Sequence, residues 1–509
     1  MKTSLFKRVL ALLFAVLMLV SVVACTKNPD APKESDKPAE TDPAGPQGSD
    51  GSKDSETEIK YIPKGFYGGE TYTVLAYDPI EQHNWSNVPY DLYYEENEGD
   101  VLANAVYQRG VILKDELGVQ LEVVRWPKNV SEELLRDIND GEYRYQLVFQ
   151  CTINVNILVN NGTIRNINRS GLNIDNPWFD TNAASMFTIK GKTTAVTCDM
   201  TFLDKLSTVA VFYNKQMASD NNLGDLYSMV NNKEWTYDKM LAMAETVVPT
   251  VDADGVYTVD DIYGISCQND GAYFFLHSAG LSSISHTADG GLTLTLNSEN
   301  TTDALEKILA LTTNKRIYLN RQSTATNMKT AAEIAEHFAS GKALFLIRPL
   351  QSLYDLAQVT DNYGIIPVPM FDAETQDKYY TPVNTYASMH LCLPNYITDE
   401  EKTVDVVEYL SWYSMKNITP VLYEVVLGSR MTQDKESSKM LDIIFANRFY
   451  DIGLIWNISS IRSIITDTIG AGFMVPGTVK QRIDKYATPI NVALNTLLTD
   501  LEKFDTDQE

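Results

Sequence analysis

After a basic start at Lys2, Lys7 and Arg8, the chain is apolar from Val9 to Ala24. That run is too short to span a bilayer comfortably and reads as a removable signal, residues 1–24. From residue 26 to about 62 the pattern inverts, with Pro, Asp, Ser, Gly, Lys and Glu and almost no large apolar side chain. Such a segment cannot bury enough surface to offset its ordering entropy, so it reads as a disordered tether with a reach on the order of 30 Å. Tyr72 to Ala76 then reads as a first strand. A helical period follows from about Asp100 to Leu117, with Leu102, Val106, Leu113 and Leu117 on one face and Gly118 placed to end it. Val119 to Val123 alternates as a second strand, a short helix opens with Ser131 as its N-cap, and Leu147 to Phe149 is a buried third strand. Strand, helix, strand, helix, strand predicts an α/β fold with a mainly parallel sheet flanked by helices. Ligands of such sheets meet the loops beyond the carboxyl ends of the strands.

Later segments add helices. Thr398-Asp399-Glu400-Glu401 forms a capping box, Thr419-Pro420 starts another helix, and a last amphipathic helix runs from about Thr478 to Phe504. The stretch from about Phe66 to Glu509 is long for one core and suggests two lobes.

Composition narrows the function classes. A formal net charge of −25 argues against nucleic acid or anionic headgroups as partners, since both need positive patches. The histidines His83, His277, His286, His337 and His390 have no metal-ligand spacing, and no cofactor is expected. HExxH, GxSxG, Walker and GxGxxG fingerprints are absent, so no catalytic residues are assigned. Cys151, Cys198, Cys267 and Cys392 read as buried free thiols, with one or two disulfides as the alternative. Asp252-Ala253-Asp254-Gly255, followed by Asp260 and Asp261, is a degraded match to a calcium loop, because Thr250 and Asp261 fall at its end positions. Capping carboxylates are the better reading there, and no metal is assigned.

Val22-Val23-Ala24-Cys25 resembles the lipobox of bacterial lipoproteins, with Val22 where that motif usually has Leu. The resemblance implies that Cys25 is the lipidated N-terminus and that residues 25–65 tether a domain outside the membrane. A second resemblance builds from several segments. Glu116-Leu117-Gly118-Val119, Gly191-Lys192-Thr193-Thr194-Ala195-Val196, Val211-Phe212-Tyr213-Asn214-Lys215 and Glu234-Trp235-Thr236-Tyr237 occur in order. Gly341-Lys342-Ala343 within Phe338 to Ile347, and Tyr363-Gly364-Ile365-Ile366-Pro367-Val368-Pro369, continue the series. Over residues 70–420 the chain resembles extracellular solute-binding lipoproteins of carbohydrate ABC transporters, with their two-lobed periplasmic-binding-protein fold. This implies discontinuous lobes, 66–210 plus 385–430 and 211–384 plus 431–509, joined by hinge strands near Phe212 and Tyr386. The implied partners are a carbohydrate, ABC permease subunits and the membrane through the lipid anchor, for a monomer on the extracellular face or the periplasmic side.

Sugar recognition needs aromatic faces for the ring and directed polar groups for the hydroxyls. Asn84, Trp85, Tyr90 and Asp91, in the loop after the first strand, offer both, or form a surface loop with tucked aromatics. Trp178 lines the cleft or packs the first lobe. Asp199, where the family often places polar ligand contacts, contacts ligand or caps a turn. Asn269-Asp270-Gly271-Ala272-Tyr273-Phe274 suggests Tyr273 as a contact. By the resemblance, Arg348 reaches the cleft where the family often carries a Trp. It could bond sugar hydroxyls, pair with an acidic ligand, or form a structural salt bridge. Tyr386 and Trp456 are cleft candidates or hinge and core residues. A surface adhesin or sensor with the same fold, and an extracellular glycoside hydrolase, are the competing functions.

Overall fold

The computed structural model describes residues 60–78, 91–96, 99–248, 257–323, 326, 328, 330–356, 362–431 and 435–504. Cys25, Asn84, Trp85, Tyr90 and most of the 250–261 loop lie outside the described residues. Two sheets are built from β1 (Glu70–Tyr77), β2 (Val119–Trp126), β3 (Leu147–Cys151), β4 (Val209–Asn214), β5 (Tyr263–Cys267), β6 (Tyr318–Asn320), β7 (Ala343–Pro349), β8 (Tyr363–Ile366) and β9 (Met389–Cys392). The helices that matter here are α1 (Val101–Leu117), α2 (Val130–Asn139), α3 (Gly271–Ser278), α4 (Glu400–Asn417), α5 (Thr419–Met431) and α6 (Val479–Lys503).

The first sheet has the order β9-β3-β1-β2. Its β1, β2 and β3 are parallel, and β9 closes the edge antiparallel to β3. Helix α1 delivers the chain from β1 to β2. Asp100 caps it by accepting from Ala103 N at 3.0 Å, and Leu102, Val106, Leu113 and Leu117 are all buried. Gly118 ends it in the left-handed region at φ 65°, where a Cβ would lie 2.7 Å from the Phe66 ring. Only glycine fits that stop.

The second sheet has the order β6-β5-β7-β4-β8. Strands β5, β6 and β7 are mutually parallel, while β4 runs against both its neighbours. Each sheet has its own apolar cluster as well as a share in a larger core. The architecture is a two-lobed α/β fold with mainly parallel sheets.

Two segments pass side by side between the sheets. Val196 and Leu391, the latter within β9 at the edge of the first sheet, exchange backbone bonds of 3.0 and 2.8 Å, and in the crossing itself Asn384 N donates to Ser207 O at 2.8 Å. Leu350 N donates to Thr208 O at 2.9 Å, tying the end of β7 to the same crossing. Phe212 lies past it, inside β4.

Helix starts differ from the sequence reading in two places. Asn129 rather than Ser131 caps α2, accepting from Ser131 N, while Ser131 is buried against Gln150. Asp399 rather than Thr398 caps α4, accepting from Lys402 N at 3.1 Å. In each case a short acceptor side chain sits beside the expected cap, and the backbone geometry selects it. Helix α5 starts at Thr419-Pro420, and α6 spans nearly the whole predicted final segment. Cys151, Cys198, Cys267 and Cys392 are buried free thiols.

Candidate functional site

Strands β5, β6 and β7 end side by side, and the residues just beyond or at their carboxyl ends form one wall of a cleft. Gln268, Asn269 and Asp270 follow β5, Arg321 and Gln322 follow β6, and Arg348 sits at the end of β7. Gln351, and Asn384 and Tyr386 from the crossing, face them, and Thr466 and Asp467 complete a cavity of about 290 Å³. Tyr386 also reaches the first sheet: its carbonyl accepts from Tyr77 Oη at 3.4 Å and Cys151 Sγ at 3.6 Å, at the carboxyl ends of β1 and β3. The cleft thus occupies the place where open α/β sheets bind ligands.

Its wall is held by amides. Asn269 N donates to Gln322 Oε1 at 2.9 Å, and Asn320 Nδ2 donates to Asn269 Oδ1 at 2.7 Å and to Gly470 O at 3.2 Å. Gly470 packs so close that a Cβ there would come within 1.9 Å of Asn269 O. Asn384 Oδ1 accepts from Tyr386 N at 2.9 Å and fixes the turn that presents the tyrosine. The Arg462 guanidinium lies 5.2 Å from the Tyr386 ring centre. Arg462 is itself fixed by Leu454 O, which accepts at 2.9 and 3.2 Å.

Charge in the cleft runs through Gln268. Arg348, only 3 % exposed, donates through Nη1 to Gln268 Oε1 and through Nε to Ser352 Oγ at 3.3 Å. Gln268 Nε2 in turn donates to Asp270 Oδ2. Burial pushes the Arg348 guanidinium down to about 10, and the like charge of Arg321 pushes the same way. Burial lifts the Asp270 carboxyl to about 6, against the pull of Gln268, Arg348, Arg321 and Arg462. Gln351 is buried, with no hydrogen-bond partner for Oε1 among the described residues.

Of the residues singled out from sequence, Arg348 and Tyr386 line this cleft. Asp91, Trp178, Asp199, Tyr273 and Trp456 do not, and their surroundings explain why. Asp91 is 2 % exposed and accepts from Thr201 Oγ1 and, at 2.8 Å, from Phe202 N. Its carbonyl and that of Leu92 hold the buried Arg109. Trp178 is core, with Nε1 donating to Glu408 at 2.5 Å. Asp199 is paired with Lys205 Nζ at 2.6 Å in the crossing. Tyr273 is fully buried in α3, packed on Phe274 and His277, beneath rather than in the cleft. Trp456 is also core, its carbonyl accepting from Asn156 Nδ2 at 3.4 Å.

The residues missed are mostly carboxamides and charges that directly follow a strand. Asn269 and Asp270 lie in the same segment as Tyr273, and it is they rather than the aromatic that line the cleft. Helix α3 starts at Gly271 and turns that aromatic inward. Among the described residues no group of three or more His, Cys, Asp or Glu could hold a metal ion. Asp260 pairs with Lys342 Nζ at 2.8 Å, and Asp261 accepts from Thr258 N at 2.6 Å.

Such a lining offers many directed donors and acceptors, with one part-exposed aromatic ring. Amides both donate and accept, which matches a ligand rich in hydroxyls. The fold is similar to solved binding proteins. The extracellular solute-binding protein of Staphylococcus aureus, in complex with maltose, aligns with TM-score 0.56 at 15% identity, over 84% of this chain and 98% of that one. The cyclic alpha-maltosyl-1,6-maltose binding protein of Arthrobacter globiformis aligns with TM-score 0.53 at 14% identity, over 84% and 99%. An ABC transporter solute-binding protein of Thermotoga lettingae, bound with alpha-D-tagatose, aligns with TM-score 0.51 at 16% identity, over 84% and 100%. A search of curated protein sequences found no significant match. The family model described as bacterial extracellular solute-binding protein matches residues 113–435, more than half of the sequence. With that match and this fold, the chain belongs to the bacterial extracellular solute-binding protein family.

Proposed function

We propose that this protein captures a carbohydrate, an oligosaccharide, between its two lobes and delivers it to an ABC permease from a lipid anchor at Cys25. The observation that carries the reading is the lining of the cleft: five carboxamides (Gln268, Asn269, Gln322, Gln351 and Asn384) beside one part-exposed tyrosine, at the carboxyl ends of the second sheet. That is chemistry that suits hydroxyl-rich rings, since each carboxamide both donates and accepts. The sugars bound in two of the similar structures, and the one the third protein is named for, support the same class.

In this reading residues 1–24 are a lipoprotein signal and 25–65 the lipidated tether. Lobe one is 66–210 plus 385–430, and lobe two is 211–384 plus 431–509. Closure about the crossing at Ser207–Thr208 and Val383–Asn384 would bring Tyr386 onto the ligand and exclude water. Tethering keeps the loaded receptor near its permease, so docking need not be tight. The cleft's role is capture, with no catalysis.

Isothermal titration of the full chain against maltodextrins and plant- and mucin-derived oligosaccharides, neutral and acidic, tests the proposal. Binding of at least one sugar is expected. Heat from peptides or amino acids, with none from any sugar, would overturn it.

A further inference from the structure

Resting on the carbohydrate reading, we infer that the sugar taken here is anionic, carrying a carboxylate or a sulfate ester that seats against Arg348. The other buried cations of the molecule find their partners within the chain. Arg448 is paired with both Asp180 and Asp204, and Lys205 with Asp199. Arg109, which has no carboxylate partner either, is satisfied by four oxygens: the carbonyls of Asp91, Leu92 and Met200, and Ser414 Oγ. Each of these guanidinium or ammonium groups is matched within the chain.

Arg348 is not matched in this way. Among the described residues no carboxylate lies within ion-pair distance of it. Its hydrogen-bond partners are two neutral oxygens, Gln268 Oε1 and Ser352 Oγ. Asp270, the carboxylate that might have served, is separated from it by the Gln268 side chain, whose Nε2 occupies Asp270 Oδ2. Arg321 lines the same wall, and Arg462 stands behind Tyr386. Asp355 and Asp270 act on Arg348 only electrostatically, beyond ion-pair distance, in a protein whose net charge is −25.

Arg348 is already almost out of contact with water, and a neutral sugar closing over its small exposed part would leave the cation with neutral partners alone. An uncompensated buried charge is costly, whereas a ligand anion presents two oxygens in the plane a guanidinium fork matches. The carboxamides around it then read the remaining hydroxyls.

The test uses the full chain and matched ligand sets: oligogalacturonate, its methyl ester and the neutral galactose oligomer; sialyllactose and lactose; and sulfated and unsulfated galactose oligomers. An acidic member binding about tenfold or more tighter than its neutral counterpart is expected. Which acid prevails separates a carboxylate from a sulfate ester. In Arg348→Gln the acid-to-neutral ratio should fall to about one, and in Arg348→Lys recover in part. Should Arg348→Gln fail to fold, the wild-type ratio read from low to high salt serves instead, and it should shrink as salt rises. Neutral sugars binding as tightly as their acidic partners, or a ratio indifferent to both residue 348 and salt, would overturn the inference and leave the carbohydrate reading standing. Peptide binding with no sugar binding would overturn both.

Discussion

The charge cluster in the crossing between the sheets and the one in the cleft are both buried, and they are built differently. In the crossing Arg448 Nη2 lies 3.0 Å from Asp180 Oδ2, Nη1 contacts Asp204, and Tyr450 Oη donates to Asp180 at 2.8 Å. Lys205 adds its pair with Asp199 at 2.6 Å. Opposite charges here outnumber gaps, and the nearby carboxylates hold the Arg448 guanidinium well above its usual range despite burial. In the cleft, Arg348 bonds to neutral oxygens and its guanidinium is pushed the other way. A cluster that satisfies itself holds two lobes in register. One left short of counter-charge is finished by something that arrives. Sequence position alone does not distinguish them, because both kinds combine arginine with aspartate near a strand end.

The strongest way to break the contrast is Arg448→Met. It leaves Asp180 and Asp204 buried with their main counter-charge removed, and loss of one partner of a buried pair costs about 3–5 kcal/mol. Denaturant unfolding should show that loss. Arg348→Gln should by comparison cost less, about 1–3 kcal/mol for its buried hydrogen bonds to Gln268 and Ser352, since no ion pair is broken there. Equal destabilisation by the two substitutions would show that the cleft cluster is structural too.

A smaller effect is expected at Gly470, where the cleft wall and its support meet. A methyl group in Gly470→Ala must displace the Asn269 carbonyl it would approach to 1.9 Å. Overpacking of this kind costs about 1–3 kcal/mol, and the shift of Asn269 carries Gln268 and Asp270 with it. Calorimetry should show sugar affinity falling about tenfold, a loss of about 1.4 kcal/mol. Unchanged affinity alongside the stability loss would mean that the loop after β5 does not touch the ligand.

How far the residues themselves announce this arrangement varies by level. The helical period from Leu102 to Leu117 and its stop at Gly118 fix α1 closely, because local sterics decide both. Order along the chain, from Gly118-Val119 to the Tyr363–Pro369 segment, carries the two-lobed fold. The site is harder to read. Trp178 and Tyr273 attract attention as stacking groups, yet a large ring gains most by burial, and both are core. Asp91 and Asp199 look available until Thr201, Phe202 and Lys205 arrive from distant or newly folded segments. Arg348 and Tyr386 were legible because each lies where the backbone itself reaches the cleft. Gln351 and Asn384 carry no local signal, and only the crossing brings them in.

The smallest expected effect concerns Asp270, and it sharpens the cleft's side of the contrast. Gln268, Arg348, Arg321, Arg462 and the buried Tyr273 hydroxyl face this carboxyl, and burial lifts it to about 6 from an ordinary 3.8. The folded state therefore binds its proton more readily than the unfolded chain. This group's contribution to stability is greatest below about 3.8 and is lost as pH rises through about 6. The same protonation removes one negative charge from beside Arg348. Affinity for an anionic sugar should accordingly rise a few-fold as pH falls from about 7.5 to about 5.5, while a neutral sugar of the same size changes little. His337 and His390, both pushed down to about 4 by burial, stay neutral over that window. Asp270→Asn should flatten the pH profile for the acid and set it near the low-pH value of the wild type. A profile that keeps its slope in Asp270→Asn would place the titrating group elsewhere and remove Asp270 from the charge balance of the cleft.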